Sequence, residues 1–151
     1  MIELARPQDR AAVSRLARQI HGMHVAWRPD IYEMVEERFP QEYFDRAVQR
    51  RELYVAVLEQ QVVGYVLLSF RNAAWPGVVS RRIMCIDEFC VEESLRRHGI
   101  GTQMLSEIKV LAKAFGCTDL QLSVYPQNDD AVGFYQKNGF MIQDIKMQMK
   151  L

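Results

Sequence analysis

The spacing of apolar and polar positions divides the chain into short strands and amphipathic helices. Runs rich in β-branched and aromatic residues predict strands at 2–5, 53–58, 62–70, 82–91 and 120–125, with a last strand from Phe140. The two runs at 53–58 and 62–70 are separated by three polar residues, which is typical of an antiparallel hairpin.

Apolar residues at helical spacing predict two long helices and two short ones. The first follows Asp9, a candidate N-cap, and is expected to fray near Gly22, while Pro40 is placed to begin a second helix that ends at Gln49. The clearest apolar stripe covers 100–115 and ends at a glycine, and a shorter helix is predicted at 129–137.

The resulting order is β-α-α-β-β-β-α-β-α-β, with no repeat and no linker between the elements. Antiparallel strands followed by a crossover helix that returns to the sheet predict an α/β fold of the α+β kind in three layers. Its central sheet is mixed and mostly antiparallel, with helices on both faces. We therefore expect a single domain over 1–151.

Composition narrows the classes of function. The chain carries 19 basic and 19 acidic residues, so no long-range charge favours nucleic acid or an anionic membrane. No apolar run is long enough to cross a bilayer or to act as a signal peptide, and the expected localisation is cytoplasmic. Three cysteines without metal-ligand spacing indicate neither a disulfide framework nor a metal site.

A glycine-containing turn joins the strand ending at Val91 to the long helix. The turn and first helical residues are Arg96, Arg97, His98, Gly99, Ile100, Gly101 and Thr102. Glycines let the backbone approach a ligand, and the free N–H groups and dipole of a helix N-terminus attract an anion. The alternative is a tight turn with solvated arginines.

A second stretch of interest runs from Asn128 to Phe140. Asn128 is a candidate N-cap, Phe134 is compatible with the core, and Tyr135 has a hydroxyl that can donate a proton at neutral pH. A tyrosine on a helix is, however, more often structural than catalytic.

Together the two stretches resemble the GNAT superfamily of acetyl-CoA-dependent N-acetyltransferases. The resemblance rests on Arg96-x-x-Gly99-x-Gly101 after a strand, then Asn128-x-x-Ala131-x-x-Phe134-Tyr135-x-Lys137-x-Gly139-Phe140, about a third of the chain. It implies the GNAT acyl-CoA N-acyltransferase fold, in which two central strands splay apart at the cofactor site. It also implies direct acetyl transfer from acetyl-CoA to an amine-bearing acceptor.

The resemblance assigns residues to the cofactor acetyl-CoA. Backbone groups of Phe89, Cys90 and Val91 are expected to bind pantetheine, with an N–H near Cys90 polarising the acetyl carbonyl. The amides from Arg97 to Thr102 are expected to hold the pyrophosphate, with charge-assisted contacts from Arg96 and Arg97. The remaining expected contacts lie on the second stretch: Asn128, Phe134, Tyr135 and Lys137.

The catalytic expectations are Tyr135 as proton donor to the thiolate and Asp87 or Glu88 as base for the amine. Strict alternation places Asp87 on one face with Phe89 and Val91, and Glu88 on the other face with Cys90. The alternative for this acidic pair is a salt bridge with Arg81 or Arg82. Several family members have a glutamate base where this chain has Cys85, and the alternative to a dedicated base is deprotonation by water and the Asp87/Glu88 pair.

The acceptor is expected to bind near the acidic pair and near Trp27 and Tyr32, where aromatic and acidic groups suit a cationic amine. The wider candidate region contains His21, His24, Trp27, Arg28, Asp30, Tyr32, Glu33, Glu36 and Glu37. Polyamines, aminoglycosides, amino acids and proteins all remain possible acceptors. Two other functions stay open, a noncatalytic acyl-CoA sensor and an interaction protein.

The last residues alternate apolar Ile145, Met147, Met149 and Leu151 with polar residues. This alternation predicts a strand with one buried face, covered either by the chain's own sheet or by a second copy. It leads to the hypothesis of a homodimer.

Overall fold

The computed structural model describes the whole chain, residues 1–151, as five strands and four helices. Short 3₁₀ turns at Pro7–Asp9 and Glu93–Leu95 precede the first and third helices. The elements in chain order are β1 (Ile2–Leu4), α1 (Arg10–Trp27), α2 (Gln41–Gln49), β2 (Leu53–Leu58), β3 (Gln61–Ala73), β4 (Arg81–Val91), α3 (Ile100–Ala114), β5 (Asp119–Leu122) and α4 (Asp129–Lys137).

The five strands form one open sheet in the order β1-β2-β3-β4-β5. The first four are antiparallel to their neighbours, and β5 runs parallel to β4 after the crossover through α3. The predicted mixed, mostly antiparallel sheet is therefore confirmed, including the hairpin between β2 and β3.

Helices cover both faces of the sheet, as predicted. On one face, residues of α1 and α2 such as Leu16 and Phe44 pack on Leu53, Tyr65 and other strand residues. On the other face, Leu105, Ile108 and Ala112 of α3 pack on the opposite side of the same strands. No helix has the length and apolar character needed to cross a membrane.

Several element boundaries differ from the prediction. Helix α1 continues past Gly22 to Trp27, and β3 continues to Ala73, into residues predicted as loop. Asp9 is at the N-cap position, but its carboxylate accepts the backbone N–H of Arg6 at 2.8 Å and makes no bond to the first turn of α1. The extra lengths come from tertiary contacts, for example the ten-residue pairing of β3 with β4.

The predicted strand after Phe140 is absent. Residues 141–151 make no backbone hydrogen bond and are held by side-chain bonds of Gln143 to Gln121 and of Gln148 to Arg28. Their large apolar side chains are 73–111% exposed: Met141, Ile142, Ile145, Met147, Met149 and Leu151. The expectation that one face of this segment is buried in the chain's own sheet is therefore wrong.

Candidate active site

The sheet opens between β4 and β5. The two strands pair only from Ile83 with Asp119 to Ile86 with Leu122, whereas β4 continues to Val91 in its pairing with β3. Beyond Ile86, the edge of β4 that faces β5 has no strand partner. A strand edge with free N–H and C=O groups can bind an extended ligand, which is the role expected for Phe89, Cys90 and Val91.

A β-bulge at Asp87 changes which face each acidic side chain occupies. Leu67 pairs with Glu88 and Leu68 pairs with Ile86, so Asp87 is the extra residue in β4. The predicted alternation is wrong at this point, because Asp87 does not share a face with Phe89. Instead it lines a surface cavity beside α2 with Tyr43 and Arg46, on the same side as Glu88.

The turn before α3 presents a row of free backbone donors. None of the N–H groups from Arg97 to Thr102 has a hydrogen-bond partner in the chain. Gly99 caps α3 with φ of 84°, a left-handed conformation that favours glycine, and Arg97 is also left-handed at 66°. Six consecutive donors at a helix N-terminus form a suitable site for phosphate oxygens.

The turn also lies against the opening. A Cβ atom added to Gly101 would lie 3.3 Å from the ring of Phe134 and 3.7 Å from that of Phe89. The glycine therefore lets α3, α4 and the free part of β4 meet. This contact joins the predicted phosphate site to the predicted pantetheine site.

The charged side chains of the turn differ in their surroundings. Arg96 donates from Nε to the carbonyl of Val91 at 3.1 Å, which holds the turn against the end of β4. Arg97 is exposed and lies 3.6 Å from the carboxylate of Asp130 on α4. His98 is exposed and bonds to the carbonyl of Arg96 at 2.8 Å.

Helix α4 places Tyr135 beside the opening. Asn128 accepts the N–H of Ala131 at 3.2 Å, confirming the predicted cap, while Lys137 lies exposed in the last turn. The ring of Tyr135 contacts those of Phe89, Phe134 and Phe140 at centroid distances of 5.2–6.3 Å. Burial among these rings raises the pKa of Tyr135 to about 12, so its hydroxyl remains protonated at neutral pH.

On the opposite face, Glu88 is held by two donors. Arg38 donates to one carboxylate oxygen at 2.6 Å, and the hydroxyl of Tyr65 donates to the other at 2.5 Å. The ion pair is thus with Arg38, and the alternative partners Arg81 and Arg82 are wrong. Burial, followed by the charge of Glu88, raises the pKa of Tyr65 well above its ordinary value, which keeps this donor protonated.

Four aromatic side chains form a cluster on the same face, here called the aromatic cluster: His24, Trp27, Tyr32 and Tyr125. His24 stacks on Tyr32 at 5.2 Å and meets Tyr125 edge-on at 5.7 Å, with Trp27 at 6.0 Å. The hydroxyls of Tyr32 and Tyr125 are 3.0 Å apart. Burial lowers the pKa of His24, although the nearby charge of Glu88 opposes this shift.

Three residues of this arrangement were not among the sequence candidates. Arg38 and Tyr65 lie far from Glu88 in the chain, and Tyr125 follows β5 without any motif. Their role depends on strand pairing and on the course of the segment after α1, which local patterns do not record. The only signal for Tyr125 was its position at the end of the strand predicted at 120–125.

The candidate region around 21–37 is brought only partly into the site. His24, Trp27 and Tyr32 join the aromatic cluster, whereas Arg28 pairs with Asp30 at 2.7 Å at its rim. His21 donates to the carbonyl of Glu33 at 2.7 Å, and Glu37 pairs with Arg10. Of the acidic residues in this region, Glu36 contributes its backbone carbonyl to Arg18.

The opening therefore separates two chemical environments. On the α3/α4 side lie the row of free amides and a protonated tyrosine hydroxyl. On the α1/α2 side lie a carboxylate, an imidazole and aromatic rings, which suit a cationic or amine ligand. A group bound within the opening is accessible to a nucleophile from one side and to a proton donor from the other.

Comparison with protein families gives a match over most of the chain. The model of the Acetyltransferase (GNAT) family matches residues 20–140. Among curated proteins, a thialysine N-epsilon-acetyltransferase of Bos taurus is 31% identical over 78 residues, covering 52% of this chain and 44% of that protein. The peptidyl-lysine N-acetyltransferase YjaB of Salmonella typhimurium is 28% identical over 118 residues, which cover 78% of this chain and 63% of that protein.

Solved structures extend the likeness to the whole chain. The tetramutant of the BH1408 protein from Bacillus halodurans has a TM-score of 0.93 at 30% identity, covering 100% of this chain and 99% of that one. An aminoglycoside N-acetyltransferase, AAC(6')-Iy, in complex with CoA has a TM-score of 0.67 at 14% identity and covers 100% and 98%, which shows a shared fold alone.

The chain spans about half the length of the curated relatives it matches. Within that span, the family match includes the opening, the glycine turn and α4. Because the family model covers residues 20–140 and the fold agrees throughout, this chain belongs to the GNAT family of acetyltransferases.

Proposed function

We propose that this protein is an N-acetyltransferase that transfers an acetyl group from acetyl-CoA directly to a primary amine. The observation that carries the proposal is the opening between β4 and β5, which has Tyr135 on one side and Glu88 with the aromatic cluster on the other. The names of two relatives, which refer to thialysine and to peptidyl-lysine, support an alkyl amine as the acceptor.

The acyl-CoA would lie along the α3/α4 side of the opening. The free N–H groups from Arg97 to Thr102 fit its pyrophosphate, because they are unpaired and lie at the positive end of the α3 dipole. The free edge of β4 at Phe89–Val91 fits the amide groups of pantetheine. Asn128 retains its side-chain N–H donors, since only its oxygen is used in capping α4.

The chain's own groups would then divide the chemistry. The acceptor nitrogen attacks from the α1/α2 side, and Tyr135 donates its proton to the departing thiolate on the other side. Burial raises the pKa of Tyr135 to about 12. A raised pKa makes the hydroxyl a weaker acid, so proton transfer to the thiolate is favourable only where the same apolar surroundings also raise the pKa of that thiol.

The acceptor side favours a cationic amine. Glu88 places a carboxylate on this face close enough to His24 to act on its charge, and Asp87 lies on the same side because of the bulge. Aromatic faces of Tyr32, Tyr125 and Trp27 add attraction for an ammonium group. This chemistry suits a lysine-like side chain or a polyamine.

The first test is release of CoA from acetyl-CoA, followed by chromatography, over a panel of polyamines, aminoglycosides, lysine analogues and lysine peptides. We expect release with one amine class, and a loss in turnover on the order of 10² in Tyr135→Phe with cofactor affinity kept. Tyr54→Phe is the matched control, because the Tyr54 hydroxyl is buried without a hydrogen-bond partner.

The outcomes separate the candidate functions. If Tyr135→Phe and Tyr54→Phe release CoA at the same rate, Tyr135 has no role in the chemistry. Acetyl-CoA binding without release from any amine would favour the acyl-CoA sensor, and the absence of binding would contradict both functions.

We also propose that residues 141–151 pair with a second copy of this chain. The segment has the alternation of a strand, yet the chain's own β5 has only four strand residues and makes no backbone hydrogen bond with it. The alternating apolar side chains Ile145, Met147, Met149 and Leu151 would each contribute roughly 1.5–3 kcal/mol on burial, which favours association.

Light scattering at working concentration tests this dimer. We expect twice the mass of one chain for the wild type and a single-chain mass for Ile145→Asp/Met147→Asp, with unchanged circular dichroism in the variant. A wild-type mass equal to one chain would exclude the dimer.

A further inference from the structure

His24 is a half-buried imidazole without a hydrogen-bond partner in the chain. Its ring lies between Tyr32, Tyr125 and Trp27, and neither ring nitrogen bonds to any protein atom. His24 is not among the side chains with a fully buried, unpartnered polar atom, so its ring nitrogens are open to solvent and to a ligand on the α1/α2 side of the opening.

The other groups on this face are already committed to protein partners. Both oxygens of Glu88 accept hydrogen bonds, from Arg38 and Tyr65. His21 uses its Nε2 hydrogen on the carbonyl of Glu33, and the hydroxyls of Tyr32 and Tyr125 bond to each other. Asp87 lies away from the cluster, in the cavity beside α2.

The surroundings of His24 keep its ring neutral. Burial lowers the pKa of His24, and the charges of His21 on α1 and Arg38 act in the same direction, while Glu88 on β4 acts against them. The remaining titratable groups that face the ring are Tyr32 and Tyr125. A neutral imidazole has a free lone pair that can accept a proton.

We propose that His24, and not Glu88 or Asp87, accepts the proton of the acceptor amine; this rests on the proposed function. An ammonium R–NH₃⁺ gives one proton to a ring nitrogen of His24, which later releases it to solvent. The free amine attacks the acetyl carbon, a C–N bond forms, and the C–S bond breaks. After the attack, nitrogen loses a second proton to solvent. Tyr135 gives its own proton to the thiolate and takes one back from solvent, so the protons balance.

The experiment compares His24→Ala, His24→Gln and the wild type with the best amine of the panel, over pH 5–9. We expect kcat/KM to fall on the order of 10²-fold in both variants, with acetyl-CoA affinity unchanged. The wild-type profile should fall at low pH as the imidazole becomes charged, below the ordinary range of an imidazole because burial lowers the pKa of His24, and this limb should vanish in His24→Gln.

Exogenous imidazole provides the readout that a structural role would not affect. Added imidazole should restore activity to His24→Ala in proportion to its neutral form, and should not affect Met23→Ala, a control one residue away on the same helix. Two outcomes would overturn the assignment to His24. One is retained activity with an unchanged low-pH limb in His24→Gln. The other is a loss of activity in His24→Ala that added imidazole does not restore. A wild type that acetylates no amine would overturn the proposed function, and His24 as base with it.

Discussion

Gly64 is the position where one added methyl group should disturb both stability and the cofactor site. It pairs with Val91 in the β3–β4 ladder, and a Cβ atom there would lie 2.6 Å from the carbonyl oxygen of Cys90. This is about 0.7 Å closer than the ~3.3 Å of a close carbon–oxygen contact. The oxygen belongs to the backbone of β4, so it cannot rotate away as a side chain would.

The expected cost of Gly64→Ala follows from this contact. Overpacking in a core costs about 1–3 kcal/mol, and the Sδ atom of Met104 at 3.1 Å leaves little room on the other side. The reduced freedom of the unfolded chain returns about 0.4–1 kcal/mol. We therefore expect a loss of about 1–2 kcal/mol in the free energy of unfolding, measured by urea denaturation.

The same displacement should weaken acyl-CoA binding, because Phe89–Val91 carry the backbone groups assigned to pantetheine. Calorimetry with acetyl-CoA measures this effect under conditions where the variant is folded. Gly22→Ala is the matched control: Gly22 lies within α1 with open space around it, so the variant should be about 0.5–1 kcal/mol more stable. A Gly64→Ala variant as stable as the wild type, with full cofactor affinity, would refute this reasoning.

Three further predictions concern charged and titratable groups. Arg38→Met should lower the free energy of unfolding by about 1–2 kcal/mol, because it leaves the carboxylate of Glu88, only 15% exposed, without its ion-pair partner, which is itself 36% exposed. Adding Glu88→Gln should recover part of this loss in urea denaturation. Simple additivity of the two changes would show that the pair is not coupled. Burial raises the pKa of Cys90 to about 12, so its thiol should not react in the native state. At pH 8, iodoacetamide should label the partly exposed Cys85 and Cys117, while Cys90 reacts only on unfolding. Rapid labelling of Cys90 in the native state would contradict its burial. Because the pKa of Tyr135 is raised to about 12 from its ordinary 10, its stabilising contribution is complete below pH 10 and is lost as the pH rises through 12. The wild type should therefore lose about 1.5–2 kcal/mol of unfolding free energy between pH 9.5 and 11.5 that Tyr135→Phe does not lose.

The order of elements and the cofactor side could be predicted from the sequence because their signals are local. The apolar stripe of α3, the glycines before it and the cap at Asn128 each depend on residues within a few positions. Their order along the chain was enough to indicate the family, and the structure places the predicted turn, Phe89 and Tyr135 together.

The acceptor side depended on tertiary structure. Whether Asp87 and Glu88 share a face is decided by a bulge, which exists only in the register between β3 and β4. The partners of Glu88 come from residues 50 and 23 positions away, and the aromatic cluster joins α1 to Tyr125, beyond the end of β5 at Leu122.

The terminal segment shows most simply what the sequence determines and what it leaves to the tertiary structure. Alternation in 141–151 identifies a strand-forming sequence with one apolar side. Alternation does not identify the edge with which a strand pairs, because hydrogen bonds between strands are made by backbone groups that are alike at every position. The sequence by itself thus determined the family, the layers and the glycine-containing turn before α3, whereas only the folded chain decided which side chains lie with Glu88 on the α1/α2 side of the opening and left the last segment unpaired.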